Sequence, residues 1–599
     1  MEIHLEYYQM IFLNYLKRMN KNTNRKAKRI KKDFIKKYFG LKNIDSDKSI
    51  EILYEFKNRI ESELKINIEK KSIHYWLHLY RRIAPRGKNS SVTINIFRNI
   101  LEVAFYKYGR EEVNDELLFV KEENTVSIDK IANGDMKRYN GNFNSEYLLP
   151  GVYLGNFSCD DYQLMYELEE LAIEFWRVTT CIRRIYKGGT LRVSFSEYEV
   201  ECDEETSKLM KLYDNRYKEG GLSSLNGVTI SNETPTGIIP MYNTEAELID
   251  QEFLNRLLGI ESSVTINKHF VPNFVWAPFD FMQFYKSNKF LKDEFMKCYG
   301  FSLKHFVFIC FIISADLIGS CVGNSENVNE MQKRAYRYYV SKKEYIEQLH
   351  MLSKQLDFIM DEKIVISEEE IIKIIDYLTV DFNKRNDMSL TTLGPRKMIF
   401  SLKNKESILI DYLPLLDIIL KSTFPLKIND EKEKQKGYIF EDFVINELKN
   451  SGFTLWENKK ELKQLDGTSK EIDASFIYKN ILFICECKSN KQSITFNMIG
   501  DYKTLDYRKR KNIIGINDAD DKVKWLTKSS EPKNYKIPDS VDYIVPVLIT
   551  PFVEYIWNLS DGLWINNDTP RIITCDELIK FVKNNSFEIL LKKPYVFKK

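Results

Sequence analysis

Apolar residues recur at helical spacing through the first quarter of the chain. In residues 3–16, 50–64 and 73–80 they lie three or four positions apart, and lysines fill many of the positions between them. This pattern predicts a helix in each segment, and we assign residues 1–150 to a helical region.

Residues 151–426 combine helical and strand-like periodicity. Alternating apolar positions predict short strands and longer periodic runs predict helices. The predicted strands span 190–195 and 197–202, and the predicted helices span 164–186, 301–318 and 330–360. Residues 398–412 predict a hairpin that turns at 404–406 and leads into a short helix, LLDIIL. We expect a mixed α+β region for recognition or regulation.

A polar stretch at residues 427–436, KINDEKEKQK, contains a single apolar side chain. It predicts a charged linker or the approach to a helix, and we place the last domain boundary there. Residues 437–599 then predict the order α-β-β-β-α-β. The predicted helices span 438–450 and 494–510, and the strands span 453–457, 471–478, 481–488 and 543–550. The expected fold class is multidomain, with a mostly α and α+β N-terminal region and a C-terminal α/β domain.

Only Lys479 and Asn480 separate the predicted strands 471–478 and 481–488, which predicts a hairpin with a two-residue turn. Its register pairs residue 478 with 481, so Asp473 faces Glu486 and Glu471 faces Lys488. Side chains of facing residues lie on one side of the sheet, about 5 Å apart. Alternation places the apolar set on the other side, toward the core: Ile472, Ala474, Phe476, Phe483, Cys485 and Cys487.

Two carboxylates that face each other across a ladder repel unless a cation lies between them. Carboxylate oxygens suit Mg²⁺, which keeps several waters and accepts phosphate oxygens as further ligands. Lys488 follows Glu486 by two residues and shares its face, where an ammonium can orient water or neutralise developing charge. Asp473, Glu486 and Lys488 are therefore the candidate catalytic residues. The alternative is an ordinary solvated face with ion pairs.

With Glu471-Ile472-Asp473 on one strand, Glu486-Cys487-Lys488 on the next and Glu441 on the preceding helix, the segment resembles the PD-(D/E)xK nuclease superfamily, which has the restriction-endonuclease-like fold. The resemblance implies that Asp473, Glu486 and Glu441 hold the metal and that Lys488 serves the nucleophilic water. Ile472 stands where the eponymous motif has proline. Glu471 and Gln492 are further active-site candidates, since some members carry a glutamine near the position of Gln492.

This resemblance covers only the C-terminal domain and implies an endonuclease that depends on Mg²⁺, with Mn²⁺ able to substitute. We expect DNA as the substrate and, by analogy at the level of fold, a role in restriction or antiviral (phage) defence. The alternatives are a nuclease that acts on RNA, and a nucleic-acid- or protein-binding subunit that retains the fold as a scaffold. Cutting both strands with one site per chain suggests a homodimer or larger assembly.

Composition supports several domains and a soluble, cytoplasmic protein. With 599 residues the chain is about four times the usual domain length, and it is 43% hydrophobic and 29% charged. The nine cysteines contain no C-x-x-C pair, and Glu2 and Glu6 precede the first lysine, unlike the basic start of a signal peptide. The longest apolar run, at 306–319, is too short for a membrane span and predicts a buried helix. No phosphate-binding loop motif occurs, so movement along DNA would need a partner ATPase.

The charge balance is nearly neutral, at +3, so any nucleic-acid contact must come from local clusters. Residues 17–37 contain eleven Lys and Arg against one acid, Asp33. The candidate phosphate contacts are Arg25, Lys26, Lys28, Arg29, Lys31 and Lys32 in this cluster, and Lys503 and Arg508 in the C-terminal basic helix. The alternative is a solvated surface of a lysine-rich protein.

Overall fold

A computed structural model describes most of the chain. The described residues are 25–41, 44–80, 91–111, 159–220, 237–242, 274–322, 336–339, 341–355, 364–391, 394, 396–401, 408–423, 426, 430–489, 502–528, 531–584 and 587–598. They form a mixed helical and α/β protein with several hydrophobic cores, which agrees with the expected multidomain organisation.

The first core is built mainly by five helices and one hairpin, and Val380, Met388, Leu390, Phe400 and Leu409 of the middle region also pack in it. The helices and strands are α1 (Arg25–Tyr38), α2 (Ser46–Ile68), α3 (Ile73–Tyr80), α4 (Ser91–Tyr108), α5 (Cys159–Tyr186), β1 (Thr190–Val193) and β2 (Tyr198–Glu201). The helices predicted at 50–64, 73–80 and 164–186 are confirmed, whereas the one at 3–16 lies outside the described residues. The boundary placed at 150 also lies outside them, and helices from both sides of it share this core.

The middle elements pack around a second core. They are α6 (Glu204–Gly220), β3 (Gly237–Tyr242), β4 (Phe274–Phe279), α7 (Phe281–Asn288), α8 (Lys292–Tyr299), α9 (Leu303–Val322), β5 (Tyr336–Tyr339), α10 (Lys342–Gln355), α11 (Glu368–Leu378), β6 (Ile399–Ser401), β7 (Ile408–Asp411) and α12 (Leu415–Lys421). Of these, α6 packs elsewhere, against the C-terminal unit.

The continuous helix predicted over 330–360 is wrong. Residues Tyr336–Tyr339 form β5, which pairs with β7 in a three-stranded sheet of order β5-β7-β6, and the helix begins only at Lys342. The sequence Tyr-Arg-Tyr-Tyr is rich in aromatic residues, which favour the pleated surface of a sheet. The hairpin and short helix predicted at 398–420 are confirmed as β6, β7 and α12.

The apolar run predicted as a buried helix is α9, whose residues 306–313 are all buried in the second core. Among the helices of the described residues, none by itself has both the length and the apolar character of a membrane span. The helical segments Lys292–Tyr299 and Leu303–Leu317 have this length and apolar character only when they are taken together, and the pair is bent by 75°.

The C-terminal unit is a mixed sheet between helices. Its elements are α13 (Asp430–Asn450), β8 (Thr454–Leu455), β9 (Lys460–Lys463), β10 (Ser469–Ile472), β11 (Ala474–Tyr478), β12 (Ile481–Cys487), α14 (Tyr502–Leu526), β13 (Tyr543–Ile549), β14 (Ile572–Ile573), α15 (Cys575–Lys583), α16 (Phe587–Leu590) and β15 (Phe597–Lys598). The main sheet has the order β14-β13-β12-β11-β8, with β15 also on β13. The predicted order of elements is present, with extra strands.

The stretch predicted as a charged linker is largely helical. Residues 430–436 form the first turns of α13, so the prediction of a helix approach is confirmed for these residues. Charged and polar residues suit the solvated face of a helix as well as they suit a linker, and the sequence DEKEKQK consists of good helix formers apart from its Asp.

Strand β12 lies at the centre of the sheet and is buried on both faces. Phe483, Cys485 and Cys487 pack in the core beneath α13 and α15. Leu482 and Ile484 pack on the opposite face, in a core that includes residues of α14. The strand runs antiparallel to β11 and parallel to β13, and α14 forms the crossover connection between β12 and β13.

The predicted hairpin register is confirmed from Tyr478↔Ile481 to Ala474↔Cys485, with Lys479 in the left-handed region at φ 55°. The ladder then stops, so the predicted pairs beyond it are wrong. Asp473 lies in a bend, and β10 leaves the main sheet to pair with β9, where Glu471 faces Glu461 instead of Lys488. The same bend moves Ile472 from the predicted face to the core on the α14 side.

Candidate active site

The candidate site lies at the C-terminal end of β12. Alternation along the strand points Glu486 and Lys488 to the α14 side and Cys485 and Cys487 into the opposite core. The N–H group of Lys488 continues the parallel pairing by donating to the carbonyl of Ile549 at 3.0 Å. Such carboxyl ends of parallel strands, where a crossover helix begins, commonly form the binding crevice of α/β folds.

Asp473 reaches this strand end from the bend that precedes β11. Its Oδ2 accepts a hydrogen bond from the backbone N–H of Cys487 at 2.8 Å, so the carboxylate takes the place of the next ladder partner. Asp473 and Glu486 therefore lie close together, as predicted. The bend at Asp473 and its side-chain hydrogen bond bring them together, and not the predicted pairing across the ladder.

Lys522 of α14 joins the two carboxylates. Its Nζ lies 2.9 Å from Asp473 Oδ1 and 2.5 Å from Glu486 Oε2. The three side chains are 12%, 13% and 5% exposed, so the contact is largely shielded from water. The sequence analysis did not identify Lys522, because the surrounding segment, DADDKVK, has the composition of an ordinary solvated helix face.

Lys488 forms the second cationic contact of Glu486. Its Nζ lies 2.7 Å from Glu486 Oε1 and 3.3 Å from Oδ2 of Asp518, which also belongs to α14. The Lys488 side chain is about one third exposed, so its ammonium is held beside Glu486 and still reaches solvent. Asp518 is the second site residue that the sequence analysis missed.

A glycine allows α14 to approach this close. A Cβ atom on Gly515 would lie 2.8 Å from Leu548 Cδ1 and 3.2 Å from Lys488 Cγ. Gly515, Asp518 and Lys522 are spaced by three and four residues, so they share one helix face. That face packs on the ends of β12 and β13. Its two charged residues, Lys522 and Asp518, contact Glu486 of β12 and Lys488 just beyond the strand.

The carboxylates differ in protonation behaviour. Burial, opposed by Lys522 and reinforced by the charge of Glu486, raises the pKa of Asp473. Burial acts in the same direction on Glu486, but Lys522 and Lys488 together outweigh it and lower the pKa of that carboxyl. The negative charge of the pair is therefore held most firmly on Glu486.

Glu441 of α13 faces the same cluster. Burial, followed by the charge of Asp473, raises the pKa of Glu441 to about 7. The negative charge of Asp473 therefore acts on the carboxyl group of Glu441. Lys459, which lies 3.0 Å from Asp442, partly offsets the shift.

The chemistry of the donor atoms, though not the present arrangement of the described side chains, suits a divalent cation that prefers oxygen ligands. Glu486 Oε2 is buried and receives no hydrogen bond of good geometry within the described residues; it meets the Lys522 ammonium. Asp473, Glu486 and Glu441 would supply hard carboxylate oxygens of the kind Mg²⁺ binds. Among the described side chains, no three His, Cys, Asp or Glu already converge closely enough to enclose an ion, and the Lys522 ammonium lies where Asp473 and Glu486 meet.

The other residues considered in this region do not contribute side chains to the cluster in the described part of the structure. Glu471 is exposed on β10, and its negative charge adds to the raised pKa of Glu441. Gln492 lies outside the described residues. Cys485 and Cys487 are buried in the core, and burial raises the pKa of both thiols, which agrees with a packing role.

The predicted phosphate contacts separate into two groups. Arg25, Lys28 and Lys32 are exposed on α1, whereas Lys26, Arg29 and Lys31 form ion pairs with acids of α2, α5 and the β1–β2 hairpin. Arg508 is buried and paired with Glu554, so it stabilises the C-terminal unit and does not face solvent. Lys503 is placed in α14, but its side chain lies outside the described part of the structure.

No protein-family model, curated protein or solved structure matches the chain. The chemistry of the site therefore follows from its own contacts. These contacts join two buried carboxylates to two ammonium groups at one strand end.

Replacing Lys522 by Met should destabilise the protein by roughly 3 kcal/mol, since it leaves two buried carboxylates without their common cation. The loss should shrink at acidic pH, where protonation removes their repulsion. Urea unfolding of the C-terminal unit measures both effects. Lys524→Met is the matched control, because Lys524 is exposed on the same helix and its pairing with Asp521 should be worth less than about 1 kcal/mol. Equal losses in the two variants would contradict the bridging role of Lys522.

Replacing Glu441 by Gln should change how stability depends on pH. The pKa of Glu441 is raised from its ordinary value of 4.5 to about 7, so its contribution is complete below about pH 4.5 and is lost as pH rises through 7. The neutral variant should therefore gain stability relative to the wild type between about pH 5 and 8. Urea unfolding at a series of pH values measures this, with Glu433→Gln on the exposed side of α13 as control. Parallel pH profiles for wild type and Glu441→Gln would show that Glu441 ionises normally.

Proposed function

We propose that the chain is a metal-dependent endonuclease that hydrolyses phosphodiester bonds of DNA in its C-terminal domain. The observation that carries this proposal is the meeting of Asp473 and Glu486 at the end of β12, with the Lys488 ammonium 2.7 Å from Glu486 and partly open to solvent. Paired carboxylates can hold a metal ion that activates water, and a partly exposed lysine beside them can stabilise developing negative charge.

The architecture supports a restriction-endonuclease-like fold for this domain. The helix α13 precedes an antiparallel hairpin, β11 and β12, and α14 then leads to the parallel strand β13. Asp473 in the bend before β11, Glu486 near the end of β12 and Lys488 just beyond it supply the residue types of the PD-(D/E)xK pattern, and Glu441 lies on the preceding helix.

The residues divide the chemistry between them. Asp473 and Glu486, with Glu441, would hold Mg²⁺ or Mn²⁺, which when bound supplies a polarised phosphoryl oxygen and a more acidic water. Lys488 is oriented by Glu486 and Asp518 so that its Nζ can donate a hydrogen bond to the attacking water or to a phosphate oxygen. Lys522 adds a second positive charge on the opposite side of Glu486, where it limits the build-up of negative charge.

The larger N-terminal part, residues 1–426, would serve recognition, regulation or assembly. Restriction or antiviral defence is the biological role that fits a large nuclease of this layout, by analogy at the level of fold. Cleavage of both strands would need two copies of the site, which a homodimer provides. Translocation along DNA, if the system uses it, would come from a separate ATPase.

The proposal is tested by incubating the full chain with plasmid and linear DNA in Mg²⁺, Mn²⁺, Ca²⁺ or EDTA. We expect cleavage with Mg²⁺ and Mn²⁺, none in EDTA, and little turnover with Ca²⁺, whose looser coordination positions water poorly. Asp473→Asn and Glu486→Gln, which preserve side-chain shape, should each reduce the cleavage rate by about 100-fold or more. Lys488→Met should do the same.

The controls are Glu461→Gln on β9 and Lys524→Met on α14, both of which alter exposed charges away from the cluster and should cleave at the wild-type rate. Circular dichroism and thermal melting establish that each variant is folded. Cleavage in EDTA, or a Glu486→Gln variant as active as the Glu461→Gln control, would overturn the metal mechanism. A folded wild type that binds nucleic acid but cleaves neither DNA nor RNA would favour the scaffold alternative.

A further inference from the structure

Helix α1 presents a row of positive charges to solvent on one face. Arg25, Lys28, Lys32 and Lys36 recur every three or four residues, so they lie on one side of the helix, and all four are exposed. We call these four residues the α1 stripe. Its lysines span eight positions, or about 12 Å along the helix axis.

The other basic residues of α1 have partners within the protein. Lys26 lies 3.7 Å from both Glu63 and Glu167, Arg29 lies 3.5 Å from Glu63, and Lys31 lies 3.6 Å from Glu197. These pairs attach the flanks of α1 to its neighbours, while Ile30 and Phe34 bury the opposite face. Within the described residues, by contrast, no carboxylate lies within ion-pairing distance of the α1 stripe.

An exposed aromatic pair continues the stripe at the end of the helix. Phe39 follows Lys36 by three residues and is 49% exposed, and Phe195 in the β1–β2 turn is 85% exposed. Their ring centroids are 3.9 Å apart, with the ring planes inclined at 42°. Two phenylalanines exposed side by side leave an apolar surface in water that has no packing role for the core.

The backbone fixes this pair in place. Gly40, at φ 82°, turns the chain after α1, and its N–H donates to the carbonyl of Val193. The N–H of Val193 in turn donates to the carbonyl of Leu41. The end of α1 is thereby joined to the β1–β2 hairpin, and Phe39 and Phe195 meet at the junction.

We propose that the α1 stripe and the Phe39–Phe195 pair together bind single-stranded DNA. The lysines contact successive phosphates, and a phenylalanine ring stacks on an unpaired base. Duplex DNA does not suit the aromatic pair, because its bases are stacked inside the helix and present no free ring face. The choice of DNA rests on the proposed nuclease function, whereas binding at α1 is separate from the catalytic cluster.

Fluorescence anisotropy with labelled oligonucleotides tests this surface in EDTA, so that no strand is cleaved. The full chain should bind a single strand of DNA more tightly than the duplex of the same sequence. Lys28→Gln/Lys32→Gln/Lys36→Gln should weaken binding and flatten the plot of log affinity against log salt by about 2, or about 0.7 for each lost contact. Phe39→Leu/Phe195→Leu should weaken single-strand binding by roughly 5- to 100-fold without changing the salt slope.

Matched variants separate these contacts from general effects. Lys343→Gln/Lys373→Gln/Lys384→Gln removes the same charge from exposed sites elsewhere and should bind like the wild type. Phe39→Tyr/Phe195→Tyr retains aromatic rings and should preserve affinity. Equal loss in the two lysine variants would overturn the phosphate contacts, and unchanged binding by the leucine variant would overturn base stacking. Tighter binding of duplex DNA, or of single-stranded RNA, would overturn the assignment to single-stranded DNA. Because every arm measures binding, failure here leaves the cleavage test of the proposed function intact.

Discussion

Two carboxylates buried side by side cannot both keep their charge unless a cation balances them, and the C-terminal domain is organised around that constraint. Asp473 and Glu486 are brought together by the bend before β11 and the end of β12. Lys522 contacts both of them from α14. The close approach of that helix depends on Gly515, where a side chain would collide with Leu548. The end of β12, the bend at Asp473 and the close packing of α14 at Gly515 thus all contribute to the contact between the two carboxylates and Lys522.

The same arrangement makes the acids of the cluster differ in how readily they hold a charge. Glu486 has two ammonium neighbours and a lowered pKa, whereas burial and Glu486 raise the pKa of Asp473. Glu441, with a pKa of about 7, adds a third carboxyl whose charge is only marginally tolerated there. An added positive charge would stabilise a site with this excess of acid, which is why we propose that Mg²⁺ binds there.

Local patterns predicted the parts of the site that depend on local structure. Lys479 and Asn480 specified the hairpin, and the register from Tyr478↔Ile481 followed because a two-residue turn leaves little freedom. The break at Asp473 was not predictable from alternation, since the pattern of charged and apolar residues continues unchanged through Glu471. Asp518 and Lys522 lie 30 and 34 residues beyond Lys488. Only the packing of α14 shows which face of this charged helix is turned inward. Likewise, the basic composition of α1 could not show that, within the described part of the chain, Lys26 and Lys31 have acidic partners whereas Lys28 and Lys32 have none.

The most direct test of this account is the binding of a divalent cation to the carboxylate cluster. Titration of the full chain with Mn²⁺, followed by electron paramagnetic resonance of the free ion, measures binding without any substrate or turnover. The account predicts a binding site in the wild type that is lost or strongly weakened in Asp473→Asn and in Glu486→Gln, and retained in Glu461→Gln. Wild-type Mn²⁺ affinity in both Asp473→Asn and Glu486→Gln would contradict the claim that these two buried carboxylates form the metal centre.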